Sequence, residues 1–318
     1  MRILITGIAG FVGSYLADLL ITKKDVAVYG TDRPGADTRN IDHIKSSIKL
    51  YQECDIKIKR DVKGLLDRVA PDHIIHLAGQ SSPLLSIQYP EETVATNVIG
   101  QVNIFEALSA LRLGPKIIIA GSCDEYGFVT KDKMPIQENC KLSAGSLYAL
   151  TKVAQEVLGI GVYYKQGYDV VVTRPFHATG PRRPERFVCS SFARQIALIE
   201  KKRQEPTISF GNMDIKRDFT DVRDVANAYW LILKKGKAGQ VYNICSQRAR
   251  SIKEILGVLL SLSKVKVELK ADPDRMRVND APLFIGDCSK LRKLTNWKPK
   301  IPFEQTLKDL LNYWRKNI

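Results

Sequence analysis

The chain has 318 residues, 44% hydrophobic and 26% charged, with a formal net charge of +15. This length and apolar share can bury a large core, as two lobes or one large α/β unit, which excludes a disordered chain, and no apolar run approaches the roughly 20 residues that cross a bilayer. The bases are dispersed in short groups such as Lys201-Lys202-Arg203 and Lys234-Lys235, with acids interleaved; the charge reads as a solvated surface that draws anionic substrates, not as a nucleic-acid-binding face.

The first predicted element is a strand, Ile3 to Thr6, running into Gly7, Gly10 and Gly13 and then into a helix marked by Tyr15, Leu16, Leu19 and Leu20. Glycines at this spacing let the backbone turn tightly and approach a pyrophosphate, whose charge suits the free N–H groups and positive dipole end of the following helix. The pattern Gly-x-x-Gly-x-x-Gly differs from the Gly-x-Gly-x-x-Gly of most dinucleotide folds, so its context carries the assignment. That context is the strand before it, the helix after it, and a second strand from Val26 to Gly30 leading to Asp32, an acid placed to accept both ribose hydroxyls of an adenosine. Because Ile3-Leu4-Ile5 already forms a strand bounded by the glycine loop, no secretory signal fits.

Further strands are predicted at His73 to Leu77, Lys116 to Ala120, Val170 to Thr173 and Val241 to Ile244, with helical patterns between most of them. Such alternation predicts a parallel sheet with helices on both faces. Past Arg174 the chain turns to loop chemistry, Arg-Pro-Phe-His-Ala-Thr-Gly-Pro-Arg-Arg-Pro184, and a smaller lobe begins. Asp218 to Leu233 reads as a helix returning to the first lobe, so the lobes interleave. Six scattered cysteines (Cys54, Cys123, Cys140, Cys189, Cys245, Cys288) with no Cys-x-x-Cys and no histidines at ligand spacing suit a reducing, cytoplasmic compartment and point away from a metal site.

The candidate reacting groups cluster after the fourth predicted strand. Tyr148 and Lys152 lie four apart on one face of the helix marked by Ala149, Leu150, Val153, Ala154, Val157 and Leu158. A phenol with an ordinary pKa of about 10 serves near neutrality when adjacent positive charge stabilises its phenolate, and Lys152 can supply that charge. Ser122 follows the strand at the carboxyl end, where open α/β sheets bind ligands, and can polarise a carbonyl. Asp124 or Glu125 could supply a general base. Asn97 starts an apolar helix and reads as buried, and His76 reads as packed within its strand.

Together, Gly7/Gly10/Gly13, Asp32, Asp55-Ile56, His76-Leu-Ala-Gly-Gln80, Asn97, Ser122, Tyr126-Gly127 and Tyr148-x-x-x-Lys152 resemble the extended short-chain dehydrogenase/reductase family over essentially the whole chain. The resemblance implies a Rossmann-like doubly wound parallel sheet with a smaller α/β substrate-binding lobe. Residues 1–175 with 215–245 would form the NAD(P)-binding domain, and 176–214 with 246–318 the nucleotide-sugar-binding domain. It makes Tyr148 the acid/base, Lys152 the group that holds the cofactor ribose and lowers the tyrosine pKa, Ser122 the ligand of the reacting oxygen and Asn97 the support of a water relay. Gly7, Gly10, Phe11, Val12, Gly13, Asp32, Arg33, Asp55, Ile56, Leu77 and Ala78 would hold the cofactor. Asp32 favours NAD, since a 2′-phosphate would meet its charge, whereas Arg33 could accommodate that phosphate and keeps NADP open.

The second half narrows the resemblance. Arg174-Pro-Phe-His-Ala-Thr-Gly-Pro, Phe187-Val188, Gly211-Asn212 and Arg217-Asp-Phe-Thr-Asp-Val-Arg-Asp-Val225 look like the nucleotide-sugar branch. Val241-Tyr-Asn-Ile-Cys-Ser246 and Arg277-Val-Asn-Asp-Ala-Pro-Leu-Phe-Ile-Gly-Asp287 point to GDP-6-deoxy-4-keto-mannose reductases and GDP-mannose 4,6-dehydratases. By that match Arg217 and Arg277 clamp the substrate diphosphate, a task suited to forked guanidinium donors; Phe187, Arg182 and Arg194 are further substrate candidates. His177 stands where these relatives carry asparagine, and Asp124 where the dehydratases carry a catalytic glutamate. The implied activity is reduction of the 4-keto group of a GDP-6-deoxy-hexose, with a 4,6-dehydratase or a 4-epimerase as alternatives and a homodimer paired through helices around 97–113 and 148–164. A non-catalytic sugar-nucleotide sensor or an RNA-binding protein is the reading from another class, and the intact Ser/Tyr/Lys set argues against both.

Overall fold

The computed structural model describes residues 1–273 and 281–318. Its first half alternates as the sequence predicts: β1 (Arg2–Thr6), α1 (Phe11–Leu20), β2 (Ala27–Asp32), β3 (Leu50–Glu53), α2 (Lys59–Val69), β4 (His73–His76), α3 (Pro83–Gln88), α4 (Pro90–Val94), α5 (Gly100–Ala110), β5 (Lys116–Ala120), α6 (Leu147–Gln166) and β6 (Val170–Pro175). The second half contributes β7 (His177–Thr179), α7 (Val188–Glu200), β8 (Thr207–Phe210), β9 (Lys216–Asp221), α8 (Val222–Lys235), β10 (Val241–Ile244), β11 (Ala249–Ser251), α9 (Ile252–Ser261), β12 (Glu268–Ala271), β13 (Leu283–Phe284), α10 (Ser289–Thr295) and α11 (Phe303–Asn317).

Seven strands form one parallel sheet in the order β10-β6-β5-β4-β1-β2-β3. The period-two geometry of a strand sends neighbouring apolar residues to opposite faces. Ile3, Ile5, Ile75, Ile118 and Val171 therefore pack with Leu16, Leu20, Val225 and Ile232 on one side. Leu4, Ile74, Ile117, Ile119 and Val172 pack with Val62, Leu65, Ile104 and Leu108 on the other. Each such buried side chain contributes on the order of 2 kcal/mol relative to exposure. Strand order reverses between β1 and β4, and the crevice beyond their carboxyl ends is where a doubly wound sheet takes ligands.

Two elements differ from expectation. β3, Leu50-Tyr-Gln-Glu, has no apolar run; it is an edge strand held only by β2, so burial on both faces is not required of it. The segment from Asp218 is strand before it is helix: β9 pairs with β11, β13 and β7, and α8 begins only at Val222, where Asp221 Oδ1 accepts from Arg223 N at 2.8 Å. The Asp218 carboxylate accepts backbone N–H bonds from Ser246 (2.8 Å) and Gln247 (3.0 Å), tying β9 to the loop after β10. A third core joins α7, α9 and α11 through Phe192, Ile196, Ile255, Leu259, Leu307 and Leu311.

Candidate active site

The glycine loop is closed by contacts that leave no room for side chains. Gly7 has φ +75° and donates to Thr31 O at 2.7 Å, and a Cβ there would stand 2.9 Å from Ala78 N. A Cβ on Gly13 would sit 2.1 Å from Gly7 O. Helix α1 opens at Phe11 with Gly10 as N-cap and no side-chain cap, so the first-turn N–H groups at the positive dipole end have no capping side chain. This cradle fits a dinucleotide pyrophosphate. Asp32, at the end of β2, accepts from Ala9 N at 2.9 Å, and burial lifts its carboxyl to about 6. Arg33 beside it is exposed. Asp55 and Ile56 follow β3: Asp55 accepts from Lys57 N at 3.0 Å, and buried Ile56 accepts Asn103 Nδ2 on its carbonyl at 2.8 Å. Leu77 and Ala78 follow β4, where Ala78 N donates to Thr6 Oγ1 at 3.1 Å. All these positions lie at carboxyl ends of the sheet.

Ser122, Tyr148, Lys152 and Asn97 come together beyond β5. Ser146 Oγ caps α6 by accepting from Ala149 N at 3.1 Å, which sets Tyr148 and Lys152 one turn apart. Tyr148 is buried with its hydroxyl toward Ser122; burial first, then the charge of Asp124, raises its pKa above the ordinary value, and the Ser122 side chain opposes this. Lys152, the residue expected to lower the tyrosine pKa, lies one turn on along α6. Its ammonium donates to Ala120 O at 2.8 Å and Gln155 Oε1 at 2.8 Å, and burial brings its pKa down to about 8. Asn97 sits in a π-helical turn, 95–99, a wide turn common at functional sites. Its Oδ1 accepts from Gln80 N (2.8 Å) and its Nδ2 donates to Gln80 O (3.0 Å) and Thr151 Oγ1 (2.9 Å), fixing the residue next to Lys152.

The two neighbouring acids separate. Glu125 is fully buried: Oε1 accepts from Ser122 N at 2.6 Å, and Oε2 lies 3.5 Å from Arg174 Nε. Burial and then the Glu156 carboxylate push it up to about 8. It is a brace for the serine turn, so Asp124 is the acid left toward the reacting groups.

Of the substrate candidates, His177 lies on β7, its ring 5.6 Å from Phe219 and 6.3 Å from Phe284. Its ring nitrogen, Cys123 Sγ and an Asp124 oxygen lie within 4.8 Å of one another. Burial, reinforced by Asp124, holds the Cys123 thiol well above its ordinary pKa, so the sulfur keeps its proton. Arg182 adopts φ +66° and turns to α1, pairing with Asp18 at 2.8 Å and stacking on Tyr15 at 4.4 Å. Arg194 pairs with Glu185 at 2.5 Å and lies over Trp314. Buried Arg217 donates to Ala281 O at 2.7 Å. Arg277 lies outside the described residues.

A GDP-mannose 4,6 dehydratase family profile matches residues 4–310. The chain belongs to that family. The GDP-6-deoxy-D-mannose reductase of Pseudomonas aeruginosa is 32% identical over 317 residues, covering 100% of this chain and 98% of its own length. The GDP-mannose 4,6 dehydratase of Drosophila melanogaster is 27% identical, covering 97% of this chain and 84% of its own length. The solved structure of RMD from Pseudomonas aeruginosa complexed with NADPH superposes with TM-score 0.88 at 31% identity, covering 100% of this chain and 99% of that one. The chain is thus of the nucleotide-sugar branch of the extended short-chain dehydrogenases/reductases.

Arg182, the arginine that the sequence offers as a substrate contact, has a neighbour closer to the reacting groups. Arg183 is the one at the site: its guanidinium stacks on Phe187 at 3.4 Å and on Phe11 of the glycine loop at 4.8 Å. Burial lowers it to about 10 against the opposing charges of Tyr148 and Asp124, and its Nε has no hydrogen-bond partner among the described residues. The only sequence signal was the Arg-Arg pair after Gly-Pro; which arginine turns inward depends on the left-handed backbone at Arg182. No helix among the described residues is long and apolar enough to cross a membrane.

Proposed function

We propose that this chain is an NAD(P)H-dependent reductase of the 4-keto group of a GDP-6-deoxy-hexose, of the GDP-4-dehydro-6-deoxy-D-mannose reductase type. The observation that carries the reading is the Ser122–Tyr148 hydroxyl pair at the carboxyl end of β5, set one helical turn from Lys152. Two neighbouring hydroxyls can both turn onto one carbonyl oxygen. Ser122 then polarises it and Tyr148 delivers the proton, while the Lys152 ammonium offsets the phenolate left behind. The nicotinamide, when bound, supplies the hydride. Arg217, with Arg277, holds the diphosphate, and His177 and Phe187 line the sugar side. The near-complete mutual coverage with a relative named as a GDP-6-deoxy-D-mannose reductase supports this choice.

One observation favours a second reading. The Asp124 carboxylate lies with Cys123 Sγ and the His177 ring beside Tyr148, and a carboxylate there could take the C5 proton in a 4,6-dehydration. The test is direct: purified protein given the GDP-4-keto-6-deoxy sugar should oxidise NADPH or NADH stoichiometrically. Loss of water from GDP-mannose without net cofactor turnover would select the dehydratase instead.

Residues 1–175 with 215–245 serve the cofactor and 176–214 with 246–318 the sugar nucleotide in this reading. Asp32 favours NAD, and the NADPH bound by the similar RMD structure favours the phosphorylated form; Arg33, exposed next to Asp32, would take that phosphate. The chain acts as a cytoplasmic homodimer: Leu150, Val157 and Tyr164, spaced seven apart along α6, are exposed beside Val94 and Ile99, an apolar face that a second copy would cover. The six free cysteines fit that compartment.

A further inference from the structure

Lys152 is held by a residue outside the Tyr-x-x-x-Lys motif. Gln155, one turn on, is buried and accepts from Lys152 Nζ at 2.8 Å through Oε1. Its amide nitrogen faces His76 Nε2 at 3.4 Å, and His76 Nδ1 lies 2.8 Å from Thr6 Oγ1, which also accepts from Ala78 N at 3.1 Å. The ammonium has only donors, so the Gln155 oxygen must face it and the NH2 must face His76. His76 Nε2 is then an acceptor, and its proton resides on Nδ1. Burial and then the Lys152 charge hold His76 neutral, with a pKa near 3, as this arrangement requires. The chain of bonds runs from the reacting lysine to the Leu77-Ala78 backbone that follows β4.

We infer that Gln155 is a positioning residue for Lys152: its amide oxygen, anchored through His76 and Thr6, holds the ammonium against Ala120 O in one orientation on the Tyr148 face of α6. Without that acceptor, a buried lysine would lose half of its protein hydrogen bonds and shed its proton more readily. The catalytic consequence rests on the reductase reading; the effect on Lys152 does not.

The titratable groups around this lysine are Glu125 from the turn after β5, His76 from β4 and Tyr148 on α6, with the Arg174–Glu156 pair next along α6. Glu125 itself titrates near 8, so the test is run in a Glu125→Gln background as well as in the wild type. Protein labelled with 13C at lysine Cε is titrated by NMR, with the Lys152 resonance assigned by its loss in Lys152→Met. Gln155→Leu should lower the Lys152 midpoint by about one pH unit, and Gln155→Glu should raise it by a similar amount. The basic limb of the NAD(P)H-dependent reduction should move the same way in each variant, with kcat changed more than KM for the sugar. Midpoints that stay put in both variants, or shift in the same direction, overturn the inference. Midpoints that diverge in a chain that never consumes NAD(P)H with the keto sugar leave the positioning role standing and remove the reductase reading.

Discussion

Replacing Gly13 with alanine probes the cofactor cradle through a single methyl group. That Cβ would stand 2.1 Å from the carbonyl oxygen of Gly7, and it also meets Ile8 Cα and Ile8 O at 2.9 Å. Contact between such atoms begins near 3 Å, so the loop or the start of α1 must move by about 1 Å. Every atom struck is backbone, and no rotamer change relieves the clash. Overpacking of this kind costs about 3 kcal/mol, equivalent to a fall of several degrees in melting temperature for a chain of this size. The same displacement misaligns the N–H groups of Phe11, Val12 and Gly13. Losing one charge-assisted bond of about 1.5 to 3 kcal/mol weakens NAD(P)H binding by at least about tenfold, and losing two weakens it by about a hundredfold or more. Gly10→Ala is the internal control, since its Cβ meets Gly7 O at 3.0 Å and needs only a slight adjustment; it should lose less than about tenfold. Fluorescence titration with NADPH and NADH, alongside thermal melting, reads both quantities. Gly13→Ala protein that binds either cofactor within about threefold of wild type would refute the argument.

Asp124→Asn separates the two reaction classes: reduction of the keto sugar should survive within about tenfold, whereas a dehydratase would lose its base and about 10² to 10⁴ in kcat. His76 makes stability depend on acid. Its folded pKa is depressed to about 3, so the unfolded chain gains a proton near 6.5 that the native state refuses, and stability falls as pH drops from about 6.5 towards 3. Chemical denaturation across that range should show the slope in wild type and a flatter one in His76→Gln; equal slopes would contradict the assignment. Leu150→Asp with Val157→Asp, on the exposed face of α6, should convert a dimer to monomer by light scattering without changing NAD(P)H affinity more than about threefold. A wild type that is already monomeric would count against that interface.

The sequence alone was enough to determine the alternation of strand and helix, and to single out the glycine cradle, Asp32 and the Ser122/Tyr148/Lys152 set as candidates. Each of these rests on local spacing: apolar runs that must be buried on both faces, glycines three apart, and a phenol and an amine one helical turn from each other. What depends on partners distant in the chain was decided only in three dimensions. Leu50–Glu53 becomes a strand because β2 offers it an edge, and Asp218 joins a strand because the loop after β10 supplies its hydrogen-bond donors. Of two adjacent arginines, one pairs with Asp18 and the other stacks on Phe11, and of two adjacent acids, one braces the Ser122 turn while the other stays with Tyr148. The lysine's acceptor, Gln155, looked like any helical glutamine until burial placed His76 behind it. Local pattern specifies which groups a chain carries, but their protonation and direction follow from desolvation and from hydrogen-bond partners, and those exist only once residues far apart in sequence have packed together.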